Sequence, residues 1–124
     1  MQTKIDNQKE FAVVHVRPGV VDKQHPVGTV AINLTEAKAG MLVVGYGIQH
    51  SKSDKWNAQR GSEVAVGRAT KSRKQIRLVC EATRNASRRE LLVWALQAVQ
   101  ERGELTRTFK KALADSIERM SHNV

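Results

Sequence analysis

The sequence is short of the residues that covalent cross-links and membrane spans require. Its single cysteine, Cys80, excludes an internal disulfide, and its apolar neighbours Leu78 and Val79 favour a buried thiol in the core. No apolar run approaches the roughly 18 residues that a membrane span needs. The polar N-terminal segment, with Asp6 and Glu10, is unlike a signal or transit peptide. We therefore expect a protein of the reducing cytoplasm.

Aromatic residues are scarce too, at 4% of the 124 residues, whereas apolar residues reach 40%. A chain of this length and composition predicts a single domain over residues 1–124. Because so few aromatics are present, its core must be built mainly from Val, Leu, Ile and Ala.

Recognised catalytic and phosphate-loop motifs are missing from the sequence. The four histidines fit no metal-binding or catalytic spacing, and the twelve acidic residues are dispersed along the chain. We therefore expect neither an enzyme nor a metal or organic cofactor.

The chain has an excess of positive charge, and most of that excess lies in one stretch of the sequence. The net charge is +9, and residues 52–89 alone hold 11 basic and 3 acidic residues. Scattered lysines would bear only on solubility, whereas a concentrated block indicates an anionic partner. Seven of the 11 cations are arginines, whose planar guanidinium makes bidentate contacts with phosphate.

The pattern of β-branched runs and helix signals predicts an α+β fold. Strands are expected over 11–17, 27–34, 41–49 and 75–80, with a helical turn ending at Gly40 and a helix over about 55–72. Ser87-Arg-Arg-Glu90 is a capping box, and an apolar stripe runs along a second helix to Met120. Together these elements predict a small antiparallel or mixed sheet of about four strands, one packed helix and a C-terminal helical hairpin.

Glycines mark where another group can approach the sheet closely. Gly45 and Gly47 are two residues apart and share one face of the third strand, which is open to a helix, a ligand or another backbone. A helix is the favoured occupant. In the helix that follows, Gly61 and Gly67 each cost about 1 kcal/mol against Ala, which suggests packing or ligand approach at both.

The candidate ligand-binding residues are cations grouped around one tryptophan. Lys52 and Lys55 flank a predicted helix N-terminus, where backbone N–H groups attract anions. Trp56 either stacks on a base or covers the helix end. Arg68, on the inner face of the helix, either contacts ligand or pairs with a buried carboxylate. The predicted set is Lys52, Lys55, Trp56, Arg60, Arg68 and Arg84.

One stretch resembles a family of small phage-encoded proteins, the Thoeris anti-defence signal sponges. The residues that carry the resemblance are Gly47-Ile48, Asp54-x-Trp56 and Arg60-Gly61-x-x-Val64-Ala65-x-Gly67-Arg68, within a stretch of about 25 residues. The resemblance implies a non-enzymatic oligomer, with a β-sheet and C-terminal helices, that binds cyclic ADP-ribose isomers or cyclic oligonucleotides in the host cytoplasm. Its motif positions are Trp56, Arg60, Gly61, Gly67 and Arg68.

The sequence thus favours a protein that sequesters a small phosphate-bearing nucleotide. A basic nucleic-acid-binding protein is one alternative, although the net-neutral C-terminal helices do not resemble recognition helices. A charge-driven inhibitor of a host protein is another. The apolar stripe on the last helix, with Leu91 and Trp94 on its partner, also predicts a homo-oligomer, a dimer through the C-terminal helices.

Overall fold

The computed structural model describes residues 10–19, 26–48, 58–70, 75–102 and 105–122. Four strands and four α-helices lie within these ranges. The strands are β1 (Phe11–Val16), β2 (Gly28–Asn33), β3 (Met41–Ile48) and β4 (Ile76–Val79). The helices are α1 (Leu34–Lys38), α2 (Ala58–Thr70), α3 (Arg88–Arg102) and α4 (Arg107–His122), and a 3₁₀ helix at Glu81–Asn85 precedes α3.

The four strands form one sheet whose spatial order follows the chain, β1-β2-β3-β4. Each pairing is antiparallel, so the predicted α+β class is confirmed in its antiparallel form. α1 connects β2 to β3 and is followed by Gly40 at φ 85°, a left-handed conformation that glycine adopts without strain.

Helices cover the sheet on both faces. On one face α2 packs Ala65 and Ala69 against Phe11 and Ala31. The α3–α4 hairpin packs on the other face, where the larger core lies. The buried members of that core on the sheet and hairpin include Val16, Val30, Ile32, Leu42, Val44, Tyr46, Leu91, Leu96, Val99, Phe109 and Leu113. Each such side chain contributes about 1.5–3 kcal/mol through burial, so this face holds most of the stability.

The predicted capping box at the start of α3 is confirmed atom by atom. The backbone N–H of Ser87 donates to the Glu90 carboxylate at 2.9 Å, and the backbone N–H of Glu90 donates to the Ser87 hydroxyl at 3.2 Å. Two donors that the helix itself leaves unpaired are thereby satisfied.

The apolar stripe of α4 faces its own sheet. Phe109, Ala112, Leu113 and Ser116 are buried, and the Phe109 ring stacks on Tyr46 with centroids 6.5 Å apart. Ile117 and Met120 pack against the core while remaining partly exposed. Most of the stripe is therefore used within one chain, and the dimer through these helices stays a prediction.

Two residues differ from their sequence-based expectations. A Cβ added at Gly67 would have no neighbouring atom within 4 Å, so the expected packing at this glycine is wrong. Cys80 packs against the core but is partly exposed rather than buried, because it follows the last residue of the edge strand β4.

Candidate functional site

The second half of β3 lies directly beneath α2. A Cβ added at Gly45 would come within 2.7 Å of the Arg68 carbonyl carbon, and closer still to backbone atoms of Ala65 and Ala69. The open strand face predicted from the two glycines is thus occupied by a helix. One turn earlier along α2, Val64 lies over Gly47, where an added Cβ would be 2.9 Å from its Cγ1.

This close packing places the Arg68 side chain beside the second half of β3. Its Nη1 donates a hydrogen bond to the backbone carbonyl oxygen of Tyr46 at 2.9 Å. Tyr46 lies two residues beyond Val44, which pairs with Ile76 at the start of β4. The Tyr46 carbonyl therefore lies beyond the last described β3–β4 pair, and the guanidinium is a side-chain donor to it.

The partner of Arg68 is a neutral carbonyl, not the buried carboxylate that the sequence left as an alternative. Within the described ranges no carboxylate forms an ion pair with Arg68, so its charge is not compensated there. A guanidinium has five N–H donors, and the contact with Tyr46 uses one of them. Arg68 is only partly exposed, which strengthens its interaction with an arriving anion.

A polar row crosses the sheet beneath the same part of α2. His15, Thr29 and Gly47 lie opposite one another on β1, β2 and β3. His15 Nδ1 and Thr29 Oγ1 are 3.1 Å apart, and Thr29 is fully buried. Burial, with a smaller effect of the nearby Arg17 charge, lowers the pKa of His15 and favours the neutral imidazole. The row therefore places a buried, mutually bonded polar pair on the sheet face beneath α2 without adding charge.

The remaining predicted residues fall into two groups. Arg60 is exposed in the first turn of α2, eight residues and about 12 Å along the helix axis from Arg68. Lys52, Lys55 and Trp56 lie outside the described residues, in the sequence between Ile48 and Ala58.

Arg84 is not brought together with Arg68. It forms an ion pair with Glu81 in the 3₁₀ helix and lies beside Gly40, before the start of β3. Tyr46, the partner of Arg68, is about 20 Å further along the strand. The hydrogen bond from Arg84, aided by its charge, lowers the pKa of the Glu81 carboxyl. Arg84 therefore has a local electrostatic partner at the far end of the sheet.

Sequence reasoning missed a second polar network, in which α4 holds the turn after β1. Gly19 donates its backbone N–H to Asp115 at 2.7 Å, and Ser116 bonds to the backbone of Arg17. Arg119 donates to the carbonyl oxygens of Arg17 and Gly19. Pro18-Gly19 marked the turn in the sequence, but nothing there indicated which helix would hold it.

Within the part of the chain that the structure describes, no group of three or more His, Cys, Asp or Glu residues could hold a metal ion. The same residues include no helix long and apolar enough to cross a membrane.

Comparisons with known proteins identify no relative of this chain. No family model matches the chain, and neither the curated proteins nor the solved structures contain a significant match. The function is therefore argued from the site itself.

Proposed function

We propose that the protein binds a small phosphate-bearing nucleotide beside β3, where Arg68 in the last turn of α2 contacts Tyr46, and sequesters it unchanged. The observation that carries the proposal is the Arg68 guanidinium, which is fixed on a neutral carbonyl and so keeps its full charge. A partly buried arginine held in this way is preorganised for phosphate, because little side-chain freedom remains to be lost on binding.

The surroundings of Arg68 support this choice of ligand. Arg60 supplies a second cation on the same helix, and the His15–Thr29 pair adds no charge to the sheet face beneath α2. Lys52, Lys55 and Trp56 lie in the sequence between Ile48 and Ala58, just before α2. Cations can bind phosphate, while an indole ring can stack on a base.

The resemblance to Thoeris signal sponges narrows the proposed ligand to a cyclic nucleotide signal and the proposed role to anti-defence sequestration by a phage protein. It rests on motif positions that include Arg60, Gly67 and Arg68, which the structure describes. Arg84 is left out of this proposed site because of its position beyond the far end of β3.

Isothermal titration calorimetry with cyclic ADP-ribose isomers and small cyclic oligonucleotides tests the proposal. We expect binding of one of these ligands that persists at high salt, with the ligand recovered intact. Arg68→Lys keeps the charge but loses the planar fork. Since a charged hydrogen bond contributes about 1.5–3 kcal/mol, we expect affinity to fall by roughly 10- to 100-fold.

Arg84→Lys is the matched control, because it makes the same change at an arginine that also has a described partner but lies at the far end of the sheet. We expect it to bind as the unaltered protein does. Equal losses in both variants, or no binding of any cyclic nucleotide, would reject the proposed site. Circular dichroism of each variant checks that a loss of binding does not result from a loss of the fold.

A further inference from the structure

The outer face of α4 carries a group of cations that the proposed nucleotide site does not use. Arg107, Lys110 and Lys111 are all exposed in the first two turns of the helix. Positions three and four residues apart are neighbours on a helix surface, so the three charges form one patch, here called the α4 strip. Phe109, between them in sequence, points the other way and lies against Gly28 and Tyr46.

The charges of the α4 strip are poorly compensated. Among the described residues, Arg107 and Lys110 take part in no ion pair. Lys111 lies 3.5 Å from Asp115, but that carboxylate also accepts the backbone N–H of Gly19 at 2.7 Å. The strip therefore presents a net positive charge to solvent.

The cations of the α4 strip lie at the end of the helix where acidic residues, not basic ones, would stabilise it. The N-terminal end of a helix carries partial positive charge, so acidic residues stabilise it and cations do not. α1 and α3 follow this rule with Glu36 and Glu90 in their first turns, whereas α2 and α4 have no acid there. The three cations are thus not explained by the stability of their own helix, and a bound polyanion would relieve their repulsion.

We propose that the α4 strip binds the phosphate backbone of a nucleic acid, as a second surface separate from the nucleotide site beneath α2. Exposed positions beside it are small or polar, namely Thr106, Thr108 and Ala114, and the next exposed position along the helix is Glu118. Protein interfaces need buried aromatic or aliphatic anchors, which this face lacks, whereas backbone contacts need only spaced cations. Neighbouring charges about 5–6 Å apart can meet separate phosphates of one strand.

The experiment compares the salt dependence of duplex binding in two triple variants of equal charge. R107Q/K110Q/K111Q removes the strip. K38Q/R88Q/R89Q removes three exposed cations from α1 and the start of α3. Fluorescence anisotropy with a labelled short DNA duplex gives the affinity between about 50 and 200 mM salt.

We expect the strip variant to lose at least tenfold in affinity at low salt. Its plot of log affinity against log salt should be shallower by about 0.9 for each phosphate that the protein no longer neutralises, hence by about 2.7 for three phosphates. The control variant should keep most of the slope. Arg60→Gln/Arg68→Gln should keep duplex binding even where cyclic-nucleotide binding is lost, which separates this proposal from the previous one.

Three results would overturn the proposal. One is an unaltered protein that fails to bind the duplex at low salt. Another is a control variant that loses as much slope as the strip variant, since net charge alone would then be responsible. The third is polyglutamate binding as tight as the duplex, which would assign the strip to acidic proteins instead.

Discussion

At the scale of single residues, two glycines show how differently the same side-chain deletion can act. Gly45 lies against the backbone of α2, whereas Gly67 on that helix has open space around it. The first permits the helix to reach the sheet. The second removes a methyl group from a position where alanine would fit and would favour the helix.

Substituting these glycines should change stability in opposite directions. Gly45→Ala forces a Cβ onto helix backbone that cannot move aside, and we expect a loss of about 3 kcal/mol in the free energy of unfolding. Gly67→Ala should instead gain about 0.5–1 kcal/mol, because it lowers the entropy of the unfolded chain. Urea unfolding followed by circular dichroism measures both. A neutral Gly45→Ala would show that α2 packs less closely than described.

Single residues also show what a sequence can and cannot predict. The spacing of Gly45 and Gly47 was enough to predict a close helix, since alternation along a strand is fixed by backbone geometry. The partner of Arg68 was not predictable, because it depends on how α2 lies over β3. The same holds for the His15–Thr29 pair, which needs the register of β1 against β2.

At the scale of elements, local signals proved the most informative. The Ser87–Glu90 box defined the start of α3 to the residue, because both of its hydrogen bonds join positions three apart in the chain. Arg84 and Glu81 are likewise three apart, but their pairing requires the 3₁₀ helix that the sequence did not reveal.

The capping box gives an element-scale prediction. Ser87→Ala should lower the free energy of unfolding by about 1 kcal/mol, since the N–H of Glu90 loses its acceptor at the helix start. Adding Glu90→Ala should cost less than the sum of the two single changes, because both belong to one reciprocal pair. Thermal unfolding measures these differences. Ser121→Ala, exposed near the end of α4, is the control and should shift stability by less than about 0.5 kcal/mol. Strict additivity would contradict a cooperative box.

At the scale of the whole molecule, the two helical layers cover opposite faces of the sheet and bury different cores. The α3–α4 hairpin buries most of the aliphatic core, and α2 covers the opposite face through small residues. The proposed nucleotide site lies beneath α2, so its substitutions fall outside the larger core. The α4 strip lies on the solvent side of the hairpin.

The predicted dimer can be tested on the same structural basis. Trp94, Ile117 and Met120 are among the partly exposed apolar side chains that the hairpin offers to a second copy, whereas Leu91, expected in the same contact, is buried in the core. We expect a dimeric mass in light scattering, and we expect Met120→Glu to weaken it by placing a charge in the contact. A monomeric mass at high protein concentration would reject a dimer through these helices.

The hydrogen bond between Arg68 and Tyr46 has a further consequence, for solubility. Backbone acceptors of a sheet that stay open can template the addition of strands from other chains, and charged side chains oppose such pairing. The Arg68 guanidinium occupies the carbonyl oxygen of Tyr46, which lies beyond the last described β3–β4 pair, and places a charge beside it. We therefore expect a variant that lacks the arginine proposed for ligand binding to aggregate more readily in the absence of ligand.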